Sequence, residues 1–357
     1  MITRRAEWRL AALLAAFLAT GSAPAAEKLR ILTWVGYVPN EVKEQFTRET
    51  GVEVEVTFSN NEDMIARLRS KQGEDFDLAQ PSQDRISGSQ QESGIYKPLD
   101  LGKIQANLFI ASMLEATKKN TTVDGRVYGV PHVWGTDGLV VNTREAAAVA
   151  DYSDLCAGSV AGRASFRAKR PTLIAFAFAS GMNPFSAYKN PTDYAAIMEK
   201  VGARLMECRK NVRFFWDEKE QVLDGLRTGE VVAAMAWDTD GWTLNAEHPE
   251  IKFVAPKSGA LGWVDTYAIP ARGRADAAAY KWINFNMRPD VAAKVAASIG
   301  NFTASRGADK LMPGKLKDQF AASFPKAAID NIKWYPAVPA GLEEIEGRVL
   351  ARLKSGS

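Results

Sequence analysis

The sequence predicts an α/β protein of two lobes, and three features carry that expectation. Strand-like and helix-like segments alternate from Leu29 onward, at the pace of a lobe built on a mainly parallel sheet. A chain of 357 residues exceeds what one core usually organises, at about 100 to 200 residues per domain. Two extended segments, 125–142 and 263–270, read as passages of chain from one lobe to the other, with no low-complexity tether and no internal repeat.

The N-terminus is read apart from the fold. Arg4, Arg5 and Arg9 give a basic start, Leu10 to Thr20 is apolar, and Ala23, Pro24 and Ala25 make an A-x-A cleavage site. This predicts a signal peptide over 1–25, removed on export by the general secretory route. The apolar run is shorter than the about 20 residues a bilayer requires. No later segment is long and apolar enough either, so the mature chain is expected outside the cytoplasm and not inserted in a membrane. Losing three arginines and one glutamate lowers the formal charge from +3 to +1. A surface so near neutrality argues against a nucleic-acid partner, whose phosphates call for a strongly basic face.

Along the mature chain, residues 29–33 alternate as a strand, and Pro39 opens a helix with Val42 and Phe46 apolar and Gly51 as its stop. Residues 52–58 (V-E-V-E-V-T-F) alternate again, 61–70 place Met64, Ile65 and Leu68 at helical spacing, and 76–78 read as a short strand. After the first passage come helices over 172–180 and 193–209, a strand over 212–216, a helix over 219–228 and a buried strand over 231–237. After the second, Asp276 is placed to cap a helix over 277–287, and Arg288, Pro289 and Asp290 start the next. Residues 341–353 form an amphipathic helix expected to pack on the second lobe. The expected organisation is 26–137 with 265–309 as lobe 1, and 138–264 with 310–357 as lobe 2.

Cys156 and Cys208 lie in an oxidising compartment if the chain is exported, which favours a disulfide; two buried thiols are the alternative. Two cysteines and two histidines, His132 and His248, are scattered rather than spaced as ligands, so no metal is expected. The parts of an enzyme are missing as well. There is no G-x-S-x-G elbow, Walker loop or H-E-x-x-H helix, and Gly36, Gly135 and Gly138 form no dinucleotide fingerprint, so neither catalysis nor a cofactor is expected.

What the chain does carry is aromatic residues where predicted strands end, the edge that faces the cleft in open α/β sheets. Trp34 and Tyr37 follow the first strand, and Trp216 ends a later one. Trp237 precedes Asp238 and Asp240, and Trp263 and Asp265 open the second passage. An aromatic face attracts a cation by about 0.5 to 2 kcal/mol, and a carboxylate beside it adds a charge-assisted hydrogen bond. Together they suit an alkyl ammonium. Each tryptophan alone is more often simple core, and it is their grouping with acids that points to a site.

The sequence resembles the periplasmic spermidine and putrescine receptors of bacterial polyamine importers along nearly the whole mature chain. The motifs that carry the likeness are T-W-V-G-Y-V-P (33–39), F-T-R-E-T-G-V-E-V (46–54), F-D-L-A-Q-P-S (76–82), Y-G-V-P-H-V-W-G-T (128–136), G-W-V-D-T-Y-A-I-P (262–270) and I-N-F-N-M-R-P-D-V-A (283–292). The resemblance implies the type II periplasmic binding protein fold, with a ligand gripped between two lobes at a hinge. It also implies that Trp34, Tyr37, Trp237, Asp240, Trp263 and Asp265 stack on or hydrogen-bond an amine.

The departures point to a different cargo. Gly36 stands where the family carries an acid, and the second-lobe segment that supplies an aspartate and a glutamate reads S-F-R-A-K-R-P-T (165–172), with Ala168 and Thr172 in place of the acids. Near the Pro81–Ser82 turn, where Ser82 is itself a candidate contact, the chain has Asp84 and Arg85. Exchanging acid for base penalises a diamine. The expectation is therefore a zwitterion such as an ω-amino acid, its ammonium at Asp265 and Asp240, its carboxylate at Arg167, Lys169, Arg170 or Arg85, arginine being favoured for its planar fork. A solvated helix start is the plain alternative for these bases. A true putrescine or spermidine receptor is the second reading and a secreted enzyme the third. The expected partners are a small amine-bearing ligand and the membrane permease subunits of an ABC importer, with the receptor a periplasmic monomer.

Overall fold

A computed structural model describes residues 27–355; the expected signal peptide, 1–25, lies outside them. Among the described residues no helix is long and apolar enough to cross a membrane.

Strand Lys28–Thr33 is the centre of a three-stranded parallel sheet, flanked by Glu53–Phe58 and Leu78–Ala79. Its alternation buries Leu29 and Ile31 completely. Helix Asn40–Thr50 begins after Pro39, which needs no amide partner there, and ends at Gly51 in the left-handed conformation a glycine adopts without strain. Its Phe46 meets Trp282 and Phe285 of helix Asp276–Asn286 edge to face. Helix Asn61–Arg69 is started by the Asn60 side chain, which accepts from the Asp63 amide, and it buries Met64, Ile65 and Leu68.

Strand Val130–Asn142 is the spine of the second, eight-stranded sheet. It pairs antiparallel with Leu261–Tyr267, Ala233–Trp237, Ile251–Val254 and Phe302–Thr303. Beyond Ala233–Trp237 the strands Ala164–Phe166 and Val212–Phe215 run parallel to it and to each other. This sheet is mixed because the chain enters along Val130–Asn142 and leaves along the adjacent Leu261–Tyr267 in the opposite direction. The two expected passages are thus hydrogen-bonded neighbours. A bulge interrupts their register between Asp265 and Thr266, and there Ser82 bridges to Asp265, tying the first sheet's exit turn to the second sheet.

Helices Arg170–Ala179 and Pro191–Cys208 pack on this sheet, and Cys208 is joined to Cys156 in a disulfide with Cα atoms 4.7 Å apart. The C-terminal helix Leu342–Ser355 buries Leu342, Val349 and Leu353 in the same core. The chain just before it turns back to the other side: the Val338 amide donates to the Asp84 carbonyl at 2.9 Å, and the Gly341 amide to the Glu92 carboxylate at 3.0 Å. Asp276 proves not to be a cap. It is the first residue of its helix, and its carboxylate instead pairs with Lys97 at 2.7 Å.

Candidate functional site

Between the two sheets lies a cleft of about 560 Å³. Of the residues singled out from sequence, Trp34, Tyr37, Ser82, Asp84, Arg85, Arg167, Trp237, Trp263 and Asp265 line it; Trp216 and Asp240 do not.

Asp265 sits on the bulge of strand Leu261–Tyr267, which turns its carboxylate toward the first sheet. It accepts from the Tyr37 hydroxyl at 2.5 Å and the Ser82 hydroxyl at 2.6 Å. Asn61 fixes Ser82 in turn, donating to its hydroxyl and accepting from its amide, both at 2.9 Å. Burial pushes the Asp265 carboxyl up to about 7, with the two hydroxyls opposing the rise. Trp34 is steadied by its indole N–H, which donates to the Gln80 carbonyl at 2.9 Å, leaving a half-buried ring at the cleft.

On the other wall, Arg167 follows strand Ala164–Phe166 and lies against two tryptophans, its guanidinium carbon 4.9 Å from the Trp216 ring and 5.0 Å from the Trp237 ring. Trp216 is therefore a support rather than a lining residue: it is fully buried, and its N–H donates to the Met235 carbonyl at 3.1 Å. No carboxylate among the described residues pairs with Arg167, and its Nε has no hydrogen bond.

The other three basic candidates are occupied. Arg170 pairs with Asp84 at 2.8 Å and Glu346 at 3.0 Å and donates to the Tyr188 hydroxyl. Arg85 lies 3.3 Å from both Glu62 and Glu343, and Lys169 lies 3.6 Å from Glu62 and 3.5 Å from Asp217. Asp240 departs from expectation for a local reason. It stands in the first turn of helix Asp238–Glu247, where its carboxylate turns back to accept the Trp237 amide at 3.2 Å. Asp240 therefore does not stand beside Asp265 in the cleft lining.

Gly36 supplies no acid and has a left-handed backbone, φ 88°. Trp263 owes its position to Gly135, its register partner: a Cβ on Gly135 would come within 2.5 Å of the ring. Sequence reasoning missed Asp137, Asn301 and Tyr335, all buried and all lining the cleft. The signal for Asp137 was present, since a lone acid inside the run V-W-G-T-D-G-L-V-V of a buried strand has to be explained.

The bacterial extracellular solute-binding protein family matches residues 41–323. A curated relative, the spermidine/putrescine-binding periplasmic protein of Salmonella typhimurium, is 30% identical over 316 residues, 86% of each chain. A solved spermidine/putrescine ABC transporter substrate-binding protein from Streptococcus pneumoniae superposes with a TM-score of 0.73 at 22% identity, over 92% of this chain and 99% of its own. A GABA receptor superposes with a TM-score of 0.69 at 17% identity, over 92% of this chain and 98% of its own. At those identities the two structures speak for the fold alone.

Proposed function

The chain belongs to the bacterial extracellular solute-binding proteins, as a substrate-binding receptor of the polyamine-type ABC transporter family, and from that premise we propose that its cargo is a zwitterion with an ammonium at Asp265 and a carboxylate at Arg167. The observation that carries this reading is the contrast among four bases. Arg85, Lys169 and Arg170 are each held by acids of the protein, while Arg167 faces the cleft with none. Its guanidinium, steadied by two indoles, is preorganised for a planar anion. Opposite it, Asp265 with the Trp34 and Trp263 rings suits an alkyl ammonium. A GABA receptor shares this fold, and γ-aminobutyrate carries the same pair of charges.

The mechanism is closure. Ligand contacts made by both walls form only when the cleft is shut, so binding shifts an open–closed equilibrium toward the form the membrane permease recognises. In this reading residues 26–137 with 265–309 move against 138–264 with 310–357, and the adjacent strands Val130–Asn142 and Leu261–Tyr267 bend as the hinge. The receptor acts as a periplasmic monomer, without catalysis, after its signal peptide is removed.

A second reading, a putrescine or spermidine receptor, is favoured by the name of the Salmonella relative. A thermal-shift screen separates the two, because a tight ligand raises the melting point by mass action. The zwitterion reading expects γ-aminobutyrate and longer ω-amino acids to raise it more than putrescine or spermidine at equal concentration. A larger shift with either diamine overturns it.

A further inference from the structure

Resting on the zwitterion reading, we infer that Asp137 is a second ammonium receptor beside Arg167, so that the preferred cargo is a diamino monocarboxylic acid: one ammonium at Asp265, and an amino-acid head group whose α-ammonium meets Asp137 and whose carboxylate meets Arg167.

Four other buried aspartates around the cleft have partners that explain them. Asp84 is paired with Arg170, and Asp238 accepts from the amide and hydroxyl of Thr136 at 2.8 and 2.9 Å. Asp240 accepts the Trp237 amide, and Asp265 the hydroxyls of Tyr37 and Ser82. Asp137 is 4% exposed, lines the cleft, and receives neither a hydrogen bond nor an ion pair at its carboxylate from any described residue. A carboxylate so placed has lost much of its water and has no hydrogen bond to replace it, a state that favours the arrival of a cation.

The position of Asp137 fits a head group. It faces Trp237 in the register of strands Val130–Asn142 and Ala233–Trp237, and Arg167 lies over that same indole. The two charged groups flank one tryptophan without touching each other, although Arg167 is the charge that most opposes the rise of the Asp137 carboxyl, which burial pushes up to about 8. An α-ammonium at Asp137 and its neighbouring carboxylate at Arg167 would match both charges. Asp137 and Asp265 against Arg167 complement two ammonium groups and one carboxylate, which γ-aminobutyrate does not supply.

Calorimetry with matched probes tests this. γ-Aminobutyrate and 2,4-diaminobutyrate differ only by the α-amino group, as do 5-aminovalerate and ornithine; using both pairs covers two chain lengths. Wild-type protein is expected to bind the better diamino acid about tenfold or more tighter than its partner lacking the α-amino group. Asp137→Asn should shrink that ratio to about threefold or less while leaving ω-amino acid binding in place, and Asp137→Ser, checked for folding by its melting curve, should do the same. A wild-type ratio near one in both pairs, or a ratio unchanged in both variants, overturns the inference. Arg167→Gln examines the underlying reading separately: unchanged affinity for γ-aminobutyrate and 5-aminovalerate in that variant defeats the carboxylate role of Arg167 whatever Asp137 does.

Discussion

Arg170 meets Asp84 at 2.8 Å, linking the start of helix Arg170–Ala179 on the eight-stranded sheet to the turn that leaves the three-stranded sheet. Both side chains are buried, and Glu346 of the C-terminal helix completes the group from a third direction, held by the Tyr194 hydroxyl. The basic segment 165–172 is therefore divided: Arg170 is held by acids of the protein, and Arg167 lines the cleft with no ion pair among the described residues.

Removing Asp84 strands a buried guanidinium with one carboxylate where it had two. Asp84→Ala should lower the unfolding free energy by about 3 kcal/mol or more in urea titrations. A loss of less than about 1 kcal/mol, the range of an exposed pair, would mean the contact is solvated in solution.

Asp265→Asn keeps the shape of the side chain and deletes its charge. The variant should fold, since one of the Tyr37 and Ser82 hydroxyls still finds the amide oxygen while the other can accept from the amide NH2, and ligand affinity should fall about tenfold or more as one charge-assisted contact is lost. Calorimetry returning wild-type affinity from folded protein assigns the ammonium elsewhere.

Burial pushes the carboxyls of Asp238, Asp240 and Asp265 up to about 7 and that of Asp137 to about 8, from an ordinary value of 3.8. Between the ordinary and raised values the folded protein holds protons that the unfolded chain has released. Its unliganded stability should therefore fall as pH rises through this window. An ammonium ligand selects the ionised carboxylates, so the rise in Tm on adding ligand should be larger at about pH 8 than at about pH 5.5. Scanning calorimetry with and without ligand at both values checks each sign, and a ligand shift that shrinks toward pH 8 counts against ammonium recognition by Asp265 and Asp137.

Gly135 makes room for Trp263, so Gly135→Ala should push the indole from its seat. Affinity should drop several-fold, with a stability cost of about 1 to 3 kcal/mol for overpacking. Equal affinity in the variant would show that the Trp263 ring makes no ligand contact.

Much of the fold was legible because burial imposes a period. Strands Lys28–Thr33 and Glu53–Phe58 and helix Asn61–Arg69 lie within a residue of expectation, since one face of each is apolar at the right spacing. Helix Ile86–Ser93 left no such trace. Its sequence I-S-G-S-Q-Q-E-S is polar, and it is buried through Gly88, which lies against the Val338 carbonyl of the returning C-terminal chain. The site divides in the same way. Asp240 and Asp265 each follow a tryptophan and an extended stretch, but one begins a helix and folds back on its own cap while the other rides a bulge into the cleft. That difference depends on strand register, which a single sequence leaves open. Cys156 and Cys208 were paired on the strength of the expected compartment, and the end of helix Pro191–Cys208 does bring them together.

The most direct measurement is a crystal structure of the receptor with the zwitterion that stabilises it most. The account predicts an ammonium nitrogen within hydrogen-bonding distance of Asp265 and the ligand carboxylate on the guanidinium of Arg167. A ligand density that leaves Arg167 bare, or that places the carboxylate at Lys219, an exposed residue of the cleft lining, would contradict it.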